Sequence, residues 1–192
     1  DGQYFFTEII NQGVLLYDAD AKAPAGSIRS KIAEGAALDP QRAYDLSHQY
    51  YSGWKEYALT FLEIGKSCIN QKGRSQNISA FQLHQAAEAI YRMVLLTVTL
   101  YAPATHHLGK LRQRCEAIDP RLAEAWAPEQ KPYRRYFELL RRAYVEARYS
   151  PAYETTPEIL KWQADRIEKL LELADAACKE RLAKLQSDAW NV

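Results

Sequence analysis

The stretch from Ile78 to Tyr101 constrains the fold more than any other. Ala80, Leu83, Ala87, Ile90, Val94, Val98 and Tyr101 recur there at spacings of three and four, the period of an α-helix that must bury one stripe. Such a helix gains most of its stability from neighbours that cover the stripe. The chain supplies them. A long helix from Gln41 to about Gln71 carries Tyr44, Tyr50, Tyr51, Trp54, Tyr57 and Phe61; KGRSQN ends it, and Ser75 and Asn77 offer capping oxygens for the next. Ala-Pro-Ala-Thr breaks the chain at 102–105, with Thr105 the expected N-cap of a third helix reaching Ala117 and closed by Asp119-Pro120. After a short turn around Leu122 to Trp126, a fourth helix from about Pro132 to Tyr149 sets Tyr133, Phe137, Leu140 and Tyr144 on one face. Thr156-Pro157-Glu158 opens the last helix with proline at the first helical position, and its stripe runs through Leu160, Ile167, Leu170, Leu171, Ala174, Cys178, Leu182 and Leu185. These stripes predict an all-α fold, an antiparallel, up-and-down bundle of four to five helices over residues 41–187.

The first residues differ. YFFTEIINQG reads as a short amphipathic helix stopped by Gly13, and VLLYD after it as a short strand, so residues 1–28 form a short α/β tail. An Ala, Gly and Pro-rich run marks residues 29–40 as a linker. The chain begins at Asp1 and its only methionine is Met93, from which we expect further sequence upstream.

Charge and cysteine content exclude several function classes. With 25 basic and 24 acidic residues the net charge is +1, so any contact with nucleic acid must come from a local patch rather than a global field. Cys68, Cys115 and Cys178 form no CxxC pair and no disulfide framework. No apolar run reaches the roughly 18 to 20 residues of a membrane span, and no signal pattern opens the chain. A cytoplasmic protein without membrane partners is the expectation.

The residues carry few motifs of chemistry. Gly26-Ser27 is followed only by Asp39-Pro40-Gln41, without the paired carboxylates that bind two metals in nucleotidyl transfer. There is no GxxxxGK[ST] phosphate loop. His84 with Glu88 is H-x-x-x-E rather than a zinc motif, and His106 and His107 point to different sides of a helix, so no metal site is expected. No nucleophile lies beside a base in sequence, and no catalytic residue is assigned.

Three features remain. His84 and Glu88 stand one turn apart beside the core stripe, either as a working pair or as a core histidine held by its neighbour. Thr105-His106-His107-Leu108 opens a helix, where amides and dipole favour an anion, so that His107 either touches phosphate or is an exposed first turn. Arg134, Arg135, Arg141, Arg142 and Arg148 make the fourth helix the most cationic. Beside Tyr144, Tyr149 and Tyr153 these arginines form either a grip for phosphate and base or a solvated face.

SAFQLHQAAEAIYRMVLL, then YAPATHHLGKLRQ, then a helix ending in EARYSPAYE resemble the HEPN domain over roughly residues 45–185. YFFTEIINQGVLLYD is similar to the closing helix and strand of a minimal or kanamycin-type nucleotidyltransferase, a domain to which HEPN domains are often fused. The resemblance implies one of two activities: a metal-independent ribonuclease, often a toxin of a toxin-antitoxin pair, or a nucleotide-binding accessory beside a nucleotidyltransferase. The ribonuclease motif is an arginine followed after four to six residues by a histidine. Arg148 matches the arginine, but Tyr153, Glu154 and Thr155 stand where the histidine would. A tyrosine with its ordinary pKa near 10 is a poor proton acceptor at neutral pH.

The expectation is therefore a non-catalytic HEPN module, accessory to an attached or cognate nucleotidyltransferase, that binds a nucleotide, RNA or an acceptor substrate through His84, Glu88, His107, Arg141, Arg148 and Tyr153. No cofactor is expected in this part of the chain; Mg2+ and a nucleoside triphosphate belong to an upstream domain. The alternatives are a ribonuclease toxin and a dimerisation module, the second because the aromatics of the first helix suit a homodimer interface.

Overall fold

The computed structural model describes residues 39–126 and 132–190. The expected α/β tail at 1–28, and the linker up to residue 38, lie outside the described residues. Asp39 and Pro40, assigned to the linker, belong instead to the first helix: Asp39 is its N-cap, accepting from the Arg42 backbone N–H, and Pro40 is its first residue.

Among the described residues the fold is helical throughout. α1 (Pro40–Ser67), α2 (Arg74–Thr99), α3 (Leu108–Ile118), a 3-10 turn (Pro120–Ala125), α4 (Tyr133–Tyr149) and α5 (Pro157–Trp190) follow in order, as the all-α reading requires. α2 is the centre, packing on α1, α3, α4 and α5. The stripe read from the sequence is there, with Ala80, Leu83, Ala87, Ile90 and Val94 fully buried. Burial runs further round the helix, however, through Ala86, Ala89, Tyr91, Met93 and Leu95. A helix enclosed on this many sides need not be strongly amphipathic.

Contacts between helices fix their directions. Gly65 of α1 lies against Leu83 of α2, while Trp54, nearer the start of α1, faces Arg92, nearer the end of α2, so the two run antiparallel. α4 runs antiparallel to α2 in the same way: His84 meets Leu140, and Phe81 meets Arg148. α1 and α5 are joined at their surfaces by Tyr51 and Lys55 with Asp175 and by Lys66 with Glu168. Cys115 and Cys178 are buried thiols, pushed upward by burial, Cys178 to about 12.

Three boundaries differ from the sequence reading. α1 ends at Ser67, four residues short of Gln71, because the chain turns so that Ile69 enters the core. α2 begins after Gly73 at a positive φ of 68°, which only glycine adopts without strain, rather than on a Ser75 or Asn77 cap. α3 is capped by the imidazole of His107, and the Thr105 hydroxyl accepts from the His107 backbone N–H instead. The long helices α2 and α4 thereby place His84, Glu88 and Arg148 on facing walls, with the 100–107 connection folded across one end.

Candidate functional site

α4 ends with Arg148, and its guanidinium is held flat among rings. It lies 4.7 Å from the Phe81 centroid, 4.7 Å from Tyr144 and 4.9 Å from Tyr149, while its Nε donates to the Tyr144 carbonyl at 2.7 Å. Cation–π contact leaves the guanidinium edge free to donate. The neighbouring arginines of α4 are paired with carboxylates, Arg141 along one edge with Glu138 and Arg142 with Glu146. Arg148 pairs with no carboxylate among the described residues, and it is exposed.

Beside it opens a cleft of about 1000 Å³ between the start of α2, the end of α4 and the 150–156 connection. Arg74, Arg135 and Arg148 line it against a single acid, Glu154, with Phe81 and Tyr149 as aromatic walls and Gln76 and Asn77 as polar ones. A chain of net charge +1 thus concentrates a local excess of two positive charges at one cleft, together with flat apolar surface. Such a site accepts anions carrying aromatic groups. The core stripe of α2 gives no signal for Arg74 and Phe81, which lie off it, and in sequence Arg135 is one member of a basic run.

The pair on α2 separates. His84 is 0% exposed; its Nδ1 donates to the Leu140 carbonyl at 2.9 Å, and its Nε2 sits 3.7 Å from Glu88, beyond hydrogen-bond reach. The face does pack against α4, but this imidazole is enclosed and its proton on Nδ1 is committed. It ties two helices together. Glu88, 5% exposed, instead accepts from Arg92 Nε at 2.8 Å and from His106 Nδ1 at 3.0 Å to each oxygen. Burial alone would raise this carboxyl, but the hydrogen bonds from Arg92 and His106 and the Arg92 charge outweigh burial and hold it down at about 2. Arg92 also reaches the Thr105 carbonyl at 2.9 Å, so α2 clamps the connection at two points.

His106 is the residue the sequence reading dropped. Its side chain is 50% exposed, its ring stacks on Tyr144 at 4.3 Å, and with Nδ1 oriented by Glu88 its Nε2 is the nitrogen left over. It precedes α3, so the helical argument that sent His106 and His107 to different sides did not apply. His107 is also exposed, with Nδ1 accepting from the Lys110 backbone N–H at 3.2 Å and Nε2 3.1 Å from Arg141 Nη1. Tyr153 lines the cleft, but its hydroxyl donates to the Leu139 carbonyl at 3.0 Å and burial pushes its pKa upward. Of the six expected residues, Arg148 and Tyr153 meet at the cleft and His107 and Arg141 meet beside α3. Glu88 supports His106, and His84 is core.

A model of the HEPN domain matches residues 51–181, more than half of the chain. The chain belongs to the HEPN family. The match runs from within α1 to within α5, so the cleft, the Glu88 cluster and the α4 arginines are all parts of the HEPN bundle itself. HEPN membership makes this a nucleic-acid-related module. No curated protein is a significant match to the chain. Among the described residues no group of three or more His, Cys, Asp and Glu side chains is placed to hold a metal ion, and no helix is long and apolar enough to cross a membrane.

Proposed function

We propose that this HEPN domain is a non-catalytic module that binds a nucleotide or nucleic-acid segment in the Arg148 cleft, as an accessory to an attached or cognate nucleotidyltransferase. The observation that carries the reading is Arg148 itself: unpaired among the described residues, stacked between rings, and facing a cleft that adds Arg74 and Arg135. A guanidinium so placed binds phosphate by its edge while Phe81 and Tyr149 offer faces to a base. The nucleotidyltransferase connection rests on the resemblance of residues 4–18, which lie outside the described residues.

Cleavage would require a proton acceptor next to Arg148. The Tyr153 hydroxyl is turned into the bundle, the Thr155 hydroxyl is buried, and Glu154 offers a carboxylate, which a phosphate held at Arg148 repels. Against this, Glu88 orients the His106 imidazole as a carboxylate orients a general base, which favours ribonuclease as the second reading. Calorimetric titration of ATP, GTP and short RNAs, followed by electrophoresis of the RNA after long metal-free incubation, separates the two. Saturable binding with intact RNA is expected. Absence of binding removes the first reading, and cleavage lost in His106→Ala establishes the second. Self-association is part of the proposal: Tyr57 at 58% exposed, with Leu59 and Ile64, turns outward from α1. Light scattering at micromolar concentration should read a dimer, and a monomer there removes that part.

A further inference from the structure

Arg148 is one end of a row. On α4, Arg141, Tyr144 and Arg148 occupy positions i, i+3 and i+7 of one face, which spans about 10 Å of helix. Each meets a side chain from outside α4. Arg148 lies over Phe81 at 4.7 Å, Tyr144 stacks with His106 at 4.3 Å and 12°, and Arg141 Nη1 faces His107 Nε2 at 3.1 Å. Leading away from the cleft, the surface therefore reads guanidinium, stacked rings, imidazole, guanidinium.

Two N–H groups reach for the His107 ring, that of Lys110 at Nδ1 (3.2 Å) and that of Arg141 Nη1 at Nε2 (3.1 Å), and a neutral imidazole has one acceptor nitrogen, so one of the two donors is left without a full partner. Glu138 takes the other edge of Arg141, with Oε2 at 3.0 Å from Nε and 2.7 Å from Nη2, and leaves Nη1 toward His107. An oxygen anion beside the pair would accept from the donor left over. His106, braced from below by Glu88 and Arg92, keeps its half-exposed ring between the two cationic points.

We propose that this row extends the cleft into a path for single-stranded nucleic acid, so that the natural ligand is an oligonucleotide of several nucleotides rather than a mononucleotide. This rests on the reading that the cleft holds a nucleotide. One phosphate sits at Arg148 and another at Arg141 with His107, and a base between them lies against the His106–Tyr144 stack. Cations interleaved with aromatic rings suit a strand whose bases are free to stack, whereas a duplex offers phosphates but hides its base faces. The size agrees: about 1000 Å³ is already the upper end of the roughly 300–1,000 Å³ of small-molecule pockets, and the row lies outside it.

Fluorescence anisotropy on the full chain tests this with a labelled mononucleotide, a single-stranded hexanucleotide and a hexanucleotide duplex. The hexanucleotide should bind at least about tenfold more tightly than the mononucleotide, and the duplex more weakly than the single strand. Arg148→Ala should weaken every ligand. Arg141→Gln and His106→Ala should each weaken only the hexanucleotide, by about fivefold or more, and Arg142→Ala, off the row and paired with Glu146, should change nothing. If the hexanucleotide gains nothing over the mononucleotide, or Arg141→Gln and His106→Ala leave it unchanged, the path is wrong even where loss in Arg148→Ala upholds the cleft. If no ligand binds at all, both readings fall.

Discussion

At the scale of the residue, the pair His84 and Glu88 shows how one helix turn divides two roles. His84 is enclosed and bonded to the Leu140 carbonyl, so His84→Ala leaves a cavity and an unpaired carbonyl. The expected loss is about 2–4 kcal/mol of unfolding free energy by urea titration, with affinity per folded molecule unchanged. Glu88 acts through its charge. Its pKa falls from 4.5 to about 2 on folding, so its contribution is present above the unfolded value and is lost as pH falls from about 4.5 toward 2. The size is about 3 kcal/mol. Urea midpoints measured from pH 6 to pH 3 should drop, and Glu88→Gln should flatten that drop while lowering stability at pH 7. Asp175, held at about 2 by Lys179, Lys55 and Tyr51 against its burial, adds to the loss in the same window. Helical period put His84 and Glu88 on one face, and that much was legible. That Glu88 would meet His106 was not, because the partner returns through a connection whose path no local pattern encodes.

At the scale of the element, burial stripes were the most legible feature and caps the least. The α5 stripe is buried at Leu160, Ile167, Leu170, Ala174, Cys178, Leu182 and Leu185, and Thr156 does accept from the Ile159 N–H at its start. Thr105, by contrast, lost the cap of α3 to His107, a residue seldom read as one. On α4 the expected aromatic face is only part of the packing. Leu140, Ala143 and Ala147 carry the contact with the core, and the two alanines let α4 close on α2 and bring Arg148 to Phe81. The α1–α2 contact is closer still. A Cβ on Gly65 would lie 3.0 Å from Leu83 side-chain atoms and 3.4 Å from the Leu83 backbone nitrogen, and Ser79 donates to the Gly65 carbonyl at 2.7 Å. Leu83 is fully buried and has nowhere to move. Gly65→Ala should therefore lose about 1–3 kcal/mol to overpacking, more than the helix gain of about 1 kcal/mol returns. Thermal denaturation with a lowered Tm checks this, and a raised Tm would contradict the close approach.

At the scale of the molecule, the bundle explains how a nearly neutral chain gathers arginines at one opening. α2 takes the centre, α4 lies antiparallel on it, and the start of α2 and the end of α4 thereby bring Arg74 and Arg148 to one opening, which Arg135, from the first turn of α4, also lines. The class of fold followed from periodicity. The cleft did not, because Arg74 and Arg148 are far apart in sequence and meet only through the antiparallel arrangement. The proposed function requires Arg148 to neutralise a phosphate in this cleft, and the salt dependence of binding to a short single strand reads that contact. Each phosphate neutralised contributes about −0.7 to the slope of log affinity against log salt for single strands. Arg148→Ala should weaken binding and make that slope shallower by about 0.7. Equal affinity and an unchanged slope in the variant would contradict it.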